Sequence, residues 1–198
     1  MEKPILFSTP MVQAILSGRK TMTRRVIKKQ PPHHTFSRVK GDHGCETEVA
    51  DGYFMNPPWE VGDTLWVRET WCFWPNHDND SGYGHDLFRG EYGIYLYKAE
   101  RGMEPYNEKW KPSIHMPRIA ARLFLKIKNI RVERLQDITE EDAIFEGIPV
   151  EILNEFGRPL GWFKSLWDSI NAKRGYEWAF NPWVWVIEFE RVSVDELD

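Results

Sequence analysis

The chain has 198 residues, enough for one domain with long loops. Hydrophobic residues at 41% and charged residues at 28% exclude a disordered chain. A net charge of −4 excludes a basic coat over the whole surface and leaves room for a local basic patch. Cys45 and Cys72 are the two cysteines, with no Cys-x-x-Cys, so a disulfide scaffold and a cysteine-based zinc site are excluded. No apolar run approaches the roughly 18 residues of a membrane span. The opening MEKPILFSTP has no charged-then-apolar signal segment. A cytoplasmic protein with no membrane partner is expected. Aromatic residues stand at 14%, with Trp at 10; they serve cores, flat ligands and stacked bases alike.

In chain order, Ser8 and Thr9 precede Pro10, a capping pair before a proline suited to the first helical position. Val12, Ile15 and Leu16 form an apolar stripe, and Gly18 supplies a stop, predicting a helix over 10–17. Residues 28–60, with KKQPPHH, GDHG and NPPW, read as irregular. In GDTLWVRETW (62–71), Leu65, Val67 and Glu69 alternate with Trp66, Arg68 and Thr70, the pattern of a strand after a turn. Residues 73–90 read as loop, 91–100 as a strand, and 106–117 as an ordered loop. Residues 119–135 read as long β structure, bent near Asn129. Thr139 to Asp142 (T-E-E-D) is a capping-box pattern opening a helix that ends at Gly147. A second helix, about 160–172, carries Trp162, Phe163, Leu166, Trp167 and Ile170 on one face. NPWVWVIEFERV (181–192) reads as an alternating apolar strand.

Strands outnumber helices and do not strictly interleave with them. The expected fold class is α+β, a small, mostly antiparallel β-barrel with flanking helices and long inserted loops at about 28–60 and 73–112. Neither G-x-G-x-x-G nor G-x-x-x-x-G-K-[ST] occurs.

Four stretches together resemble the ASCH domain family, whose fold is the PUA-like β-barrel: ILSGRKTMTRR (15–25), GDTLWVRETW (62–71), LQDITEEDAIFEGI (135–148) and NPWVWVIEF (181–189). They run from the first helix to the last strand, so the resemblance implies a single ASCH/PUA-like domain over 1–198. It also implies an association with RNA. Compact members are amidohydrolases that remove the acyl group from N4-acetylcytidine. They use a Lys and a Thr of the G-R-K-T-x-T motif and a downstream Glu, which fall here on Lys20, Thr23 and Glu146. A modified pyrimidine nucleoside is the implied partner, with RNA as the alternative, and no metal or cofactor is implied.

The residue chemistry fits this set. Amide hydrolysis needs a nucleophile, a base to activate it and an acid for the leaving amine. Lys20 lies among Arg19, Arg24 and Arg25, whose charges favour its neutral form. If residues 20–23 were regularly extended, Lys20 and Thr23 would not share a face, so a turn or bulge near Thr21–Met22 is required. Glu146 sits at a helix end, where burial and the dipole both favour its protonated form. It serves as acid, or as a carboxylate orienting Lys20. Without the family, Lys20 reads as a cation at a helix C-terminus and Thr23 as a strand threonine. Residues 19–29 carry basic side chains and no acidic one, whereas 137–146 carry acidic ones and no basic one; two solvated faces would look the same.

Arg24 is a further candidate for holding substrate. Arg68 and Glu69 are candidates at the barrel mouth, or else a surface ion pair. Trp66 and Trp71 are candidates for stacking on the base. Ser113 and His115, on KPSIHMPR (111–118), are candidates for positioning substrate, since no G-x-S-x-G elbow is present. The zinc-deaminase pattern is absent. HDND (77–80) lacks the glycine and distant Glu of a calcium loop and reads as flexible. Hydrolysis of an N4-acylated cytidine is the leading expectation. An RNA-binding module without chemistry and a ribonuclease are the rivals.

Overall fold

A helix begins at Thr9, one residue ahead of the Pro10 start read from the sequence, with the Val12 N–H donating to Ser8 O at 2.9 Å, and the strands on either side of it lead to the candidate residues. The computed structural model describes residues 1–30, 37–40, 46–50, 53–54, 57–75, 89–90, 93–100, 105, 108–152 and 158–196. In chain order the elements are β1 (Glu2–Leu6), α1 (Thr9–Leu16), β2 (Met22–Val26), β3 (Ser37–Lys40), β4 (Glu46–Ala50), β5 (Tyr53–Phe54) and β6 (Thr64–Arg68). Then follow β7 (Trp71–Pro75), β8 (Arg89–Gly90), β9 (Gly93–Tyr97), β10 (Phe124–Arg134), α2 (Glu140–Phe145), α3 (Pro159–Asn171) and β11 (Trp183–Val192). The chain is a mixed α+β protein. One five-stranded sheet has the order β1-β6-β10-β11-β2, and two three-stranded sheets have the orders β3-β4-β5 and β7-β9-β8.

The backbone divides into two compact units: Met1 with Ala14–Asp63 and Lys126–Glu190, and Glu2–Gln13 with Thr64–Leu125 and Arg191–Asp198. In the first unit, β11 pairs antiparallel with β2, Ile187 opposite Thr23 and Val186 opposite Arg24. Its core gathers Met22, Leu135, Ile138, Ala143, Phe163, Trp167, Val184 and Val186. Thr139 caps α2, its hydroxyl accepting from the Asp142 N–H at 3.1 Å. In the second unit, β1 runs parallel to β6, with Ile5 opposite Val67. β7 pairs antiparallel with β9, with Trp71 opposite Tyr97. A core of Trp71, Tyr97, Met116, Ala120, Ala121 and Phe124 lies there.

Several expectations hold in detail. Leu65, Val67 and Glu69 are buried while Trp66, Arg68 and Thr70 are only half-buried, the alternation read from 62–71. Gly18 (φ +74°) and Gly147 (φ +97°) take the left-handed conformation at the two predicted stops.

Others change. Residues 28–60 are not wholly irregular, because β3, β4 and β5 form an antiparallel sheet there. Glu46, Thr47, Glu48 and Val49 alternate charged with β-branched residues, a strand pattern too short to stand out among prolines and glycines. Likewise β7 runs to Pro75, into the segment read as loop. β structure begins at Phe124 rather than 119, since Pro117 starts a 3₁₀ turn over Arg118–Ala120. Val184 to Ile187 are buried without alternation, because β11 lies between β10 and β2 and is covered on both faces. Ile170 is 44% exposed; the buried face of α3 is Pro159, Phe163, Trp167 and Asn171, spaced by four. The motifs GDHG (41–44) and HDND (77–80), like Cys45, lie outside the described residues.

Phe163→Ala is expected to cost about 3–5 kcal/mol of unfolding free energy, and Ile170→Gln less than about 0.5. Urea denaturation of the two variants measures both. Equal losses would mean that the face of α3 has been assigned wrongly.

Candidate active site

α1 ends at Leu16, and the turn through Gly18 returns the chain so that the Lys20 N–H donates to Ala14 O at 3.1 Å. Lys20 then forms an antiparallel bridge with Glu146, the residue that closes α2. At Thr21 the backbone departs from a regular strand. Its N–H donates to Phe145 O at 3.0 Å, while its carbonyl accepts from the Phe189 N–H at 2.9 Å. A residue in a regular antiparallel pair exchanges both bonds with one neighbour. Thr21 divides them between two segments, so the chain twists there. This is an irregularity at the place where bringing Lys20 and Thr23 to one face requires one.

Burial then takes the charged groups out of water. Lys20, Thr23, Arg24 and Glu146 are exposed by 2, 3, 5 and 3%. An ammonium has three N–H donors, and three acceptors surround Lys20 Nζ: Met22 O at 2.8 Å, Glu146 O at 2.9 Å and Glu146 Oε2 at 2.7 Å. Burial lowers the Lys20 pKa from the ordinary lysine value. The Glu146 carboxylate opposes that fall, and Arg25 and Arg24 reinforce it. The Glu146 carbonyl is at the C-terminal end of α2, so Lys20 neutralises the negative end of that helix. The helix end that Lys20 serves is thus α2, far along the chain, as well as α1 just before it.

Arg24, expected at the substrate, has no exposed side-chain surface. Its Nη2 donates to Asp142 Oδ2 at 2.6 Å and Glu133 Oε2 at 3.2 Å, and its Nη1 to Glu146 Oε1 at 3.4 Å. In a capping box the Asp142 carboxylate would turn back to Thr139; here it meets Arg24. Asp142 and Glu133 therefore join the set, and the acidic run at 137–146 was their signal. The guanidinium lies 5.8 Å from the centre of the Phe163 ring. Gly147 packs directly against this cluster. A Cβ there would fall 2.8 Å from Ala14 Cβ and 2.9 Å from Lys20 Cβ. Arg19 Nη1 donates to Gly147 O at 3.2 Å and Ile148 O at 2.9 Å, fastening the same turn.

The other candidates fall in the second unit. Arg68 and Glu69 are not paired with each other, because strand neighbours project to opposite faces. Both Glu69 oxygens accept from Arg122, at 3.0 and 3.1 Å, in a bidentate pair buried from water. Burial raises the Glu69 pKa and Arg122 opposes the rise. The carboxylate is thus engaged inside the protein. Arg122 carried no sequence signal and also bonds Glu100. Arg68 donates to Ile114 O and lies 5.5 Å over the Trp66 ring. Trp71 is a core residue, with Lys111 Nζ 5.0 Å from its ring centre. A stacking face on Trp71 is therefore already occupied. Ser113 and His115 lie in one 3₁₀ turn, with His115 exposed.

Among the described residues, no group of three or more His, Cys, Asp or Glu is placed to hold a metal ion. No described helix is long and apolar enough to cross a membrane. The chain matches no protein-family model, no curated protein and no solved structure.

Gly147→Ala should cost about 2–5 kcal/mol, from its left-handed backbone and the overlap with Ala14 and Lys20. Denaturant midpoints measure it. A cost below about 0.5 kcal/mol, the range of surface substitutions, would mean that the turn is not closed on Lys20.

Proposed function

We propose that the chain is an ASCH-family amidohydrolase that removes the acyl group from the exocyclic amine of an N4-acylated cytidine, using no metal or cofactor. The mixed sheet is read as that family's PUA-like barrel. One observation carries the proposal: a buried lysine meets a buried glutamate at 2.7 Å, at the positions that the G-R-K-T-M-T motif and its downstream helix assign to catalysis. Thr23, the residue matched to the nucleophile, is buried on β2, three residues along the chain from Lys20.

In this reading Lys20 acts in its neutral form. It takes the proton of the Thr23 hydroxyl as the oxygen attacks the acyl carbon. The bond from that carbon to the exocyclic nitrogen breaks, and the nitrogen leaves with a proton relayed through Lys20 and Glu146. An acyl ester remains on Thr23. Water, activated by the same lysine, hydrolyses it to the carboxylic acid and frees the hydroxyl. The sum consumes one water and yields cytidine and the acid. A net charge of −4 supports a small nucleoside over a long RNA as the substrate.

A second reading is supported by the three acceptors around Lys20 Nζ: a buried ion-pair network that only holds α2 to β2. Hydrolysis separates the two. Purified protein mixed with N4-acetylcytidine is expected to remove its ultraviolet absorbance, and no turnover at micromolar enzyme would sink the catalytic reading. Thr23→Ala and Lys20→Ala should abolish turnover with substrate affinity largely kept. Lys20→Arg should not restore it, because a guanidinium holds its proton. Glu146→Gln should lower turnover by about 100-fold or more. Folded variants that all keep near-normal turnover would mean that the set is wrong.

The pH profile follows from the direction of the Lys20 shift. A base must be neutral, so kcat/KM should fall as pH drops through the Lys20 pKa. Burial has lowered that pKa, so the limb should lie below the ordinary lysine range. A limb at or above the value of free lysine would contradict the assignment. Activity should survive a strong chelator; loss restored by added zinc would overturn the metal-free mechanism.

A further inference from the structure

Arg24 is the most heavily engaged buried charge in the first unit, and the proposed mechanism gives it no part. Three carboxylates from two elements converge on it: Glu133 from β10, and Asp142 and Glu146 from α2 and its C-terminal end. The anchoring is unequal. Nη2 is tied at 2.6 and 3.2 Å to Asp142 and Glu133, whereas Nη1 stands 3.4 Å from Glu146 and 3.4 Å from Met22 Sδ. The anchors are themselves held, since Arg131 pairs with Glu133, with Glu188 and with Asp142. A planar fork can be fixed at one tip and still present the other tip to a second carboxylate; a point charge cannot.

Glu146 therefore has a different cation on each oxygen, Lys20 on Oε2 and Arg24 on Oε1. With Lys20 as its undivided partner, the carboxylate would favour the charged ammonium strongly. We propose that Arg24 is a positioning residue for the Lys20–Glu146 pair: anchored by Asp142 and Glu133, it draws on the second oxygen of Glu146, so that the carboxylate is shared and Lys20 releases its proton more readily. The importance of this for catalysis rests on the amidohydrolase reading; the effect on Lys20 does not. Among the described residues, the charged groups bearing on Lys20 include Glu146 at the end of α2 and Arg24 and Arg25 on β2. Behind Arg24 stand Glu133, Asp142 and Arg131, with Glu188 on Arg131 and Arg174 acting on Arg25. Both β2 arginines oppose a charge on Lys20, and Arg24 also donates to the carboxylate that favours it.

The test follows the ionisation of Lys20 directly, by the ¹³Cε signal of labelled lysine against pH in substrate-free protein, assigned through its loss in Lys20→Arg. In Arg24→Gln the midpoint should rise by about one pH unit or more, a tenfold change in proton affinity. Arg24→Lys keeps a charge but loses the fork, so it cannot stay on Asp142 and Glu133 and also reach Glu146; its midpoint should rise too, by less than that of Arg24→Gln. Arg24→Gln takes one cation from three carboxylates; if it does not fold, the compensated pair Arg24→Gln with Glu133→Gln carries the same expectation. A residue that only holds the fold would lower the denaturation midpoint of these variants and leave the Lys20 titration where it was. That result, or a fall in the midpoint of Arg24→Gln, overturns the proposal. Hydrolysis assays run beside the titration keep the two readings apart. Absent turnover with a shifted Lys20 refutes the amidohydrolase alone, and intact turnover with an unshifted Lys20 refutes the role of Arg24 alone.

Discussion

An ammonium removed from water must find an acceptor for each of its three N–H bonds, or its burial is prohibitive. Lys20 meets this demand with two backbone carbonyls and one carboxylate oxygen. Much of the first unit follows from it. Two of the acceptors belong to Glu146, so the end of α2 must lie against the start of β2. Gly147 must be glycine, since its backbone is left-handed and a Cβ would overlap that of Lys20. The third acceptor is Met22 O, at the start of β2, and Thr21 just before it shares its backbone bonds between α2's last residue and β11.

Around this centre the charges form two tiers. Lys20 and Arg24 share Glu146, and Arg24 and Arg131 share Asp142 and Glu133. Removing Glu146 would take a bonded carboxylate from two buried cations at once, a loss of several kcal/mol. The second unit has its own buried pair in Glu69 and Arg122. There a bidentate contact joins the two groups, and burial raises the carboxylate's pKa much as burial lowers that of Lys20. A shifted pKa therefore does not distinguish a catalytic group from a structural one.

The local parts of this arrangement were legible in the sequence. Gly18 and Gly147, the Thr139 cap and the alternation through Leu65, Val67 and Glu69 each rest on rules that act within a few residues. The juxtaposition of Lys20 and Glu146 came through the family motif, because contacts between residues so distant in the chain leave no periodic trace. The burial of Arg24 and Glu69 left no signal in the sequence, for one reason. Charged residues on strands are usually solvated, and only the tertiary partners, Asp142 with Glu133 and Arg122, make burial tolerable. Ile170 illustrates the same limit in reverse: it fits the apolar stripe of α3, yet no neighbouring element covers it.

The three acceptors around Lys20 Nζ also bear on how a proton moves. If the proton on the 2.7 Å bond passes to Glu146, the neutral amine keeps two N–H bonds to the carbonyls of Met22 and Glu146. Its lone pair then accepts from the new carboxylic acid, so no bond is lost. Such a shift needs no movement of the surroundings, the condition under which preorganised groups act most effectively. Loss of the proton to another acceptor is different, because it leaves a lone pair facing an ionised carboxylate. The draw of Arg24 on the other oxygen of Glu146 relieves that repulsion. A lysine surrounded by acceptors is held as an ammonium, and the cation on the far side of its carboxylate is what loosens that hold.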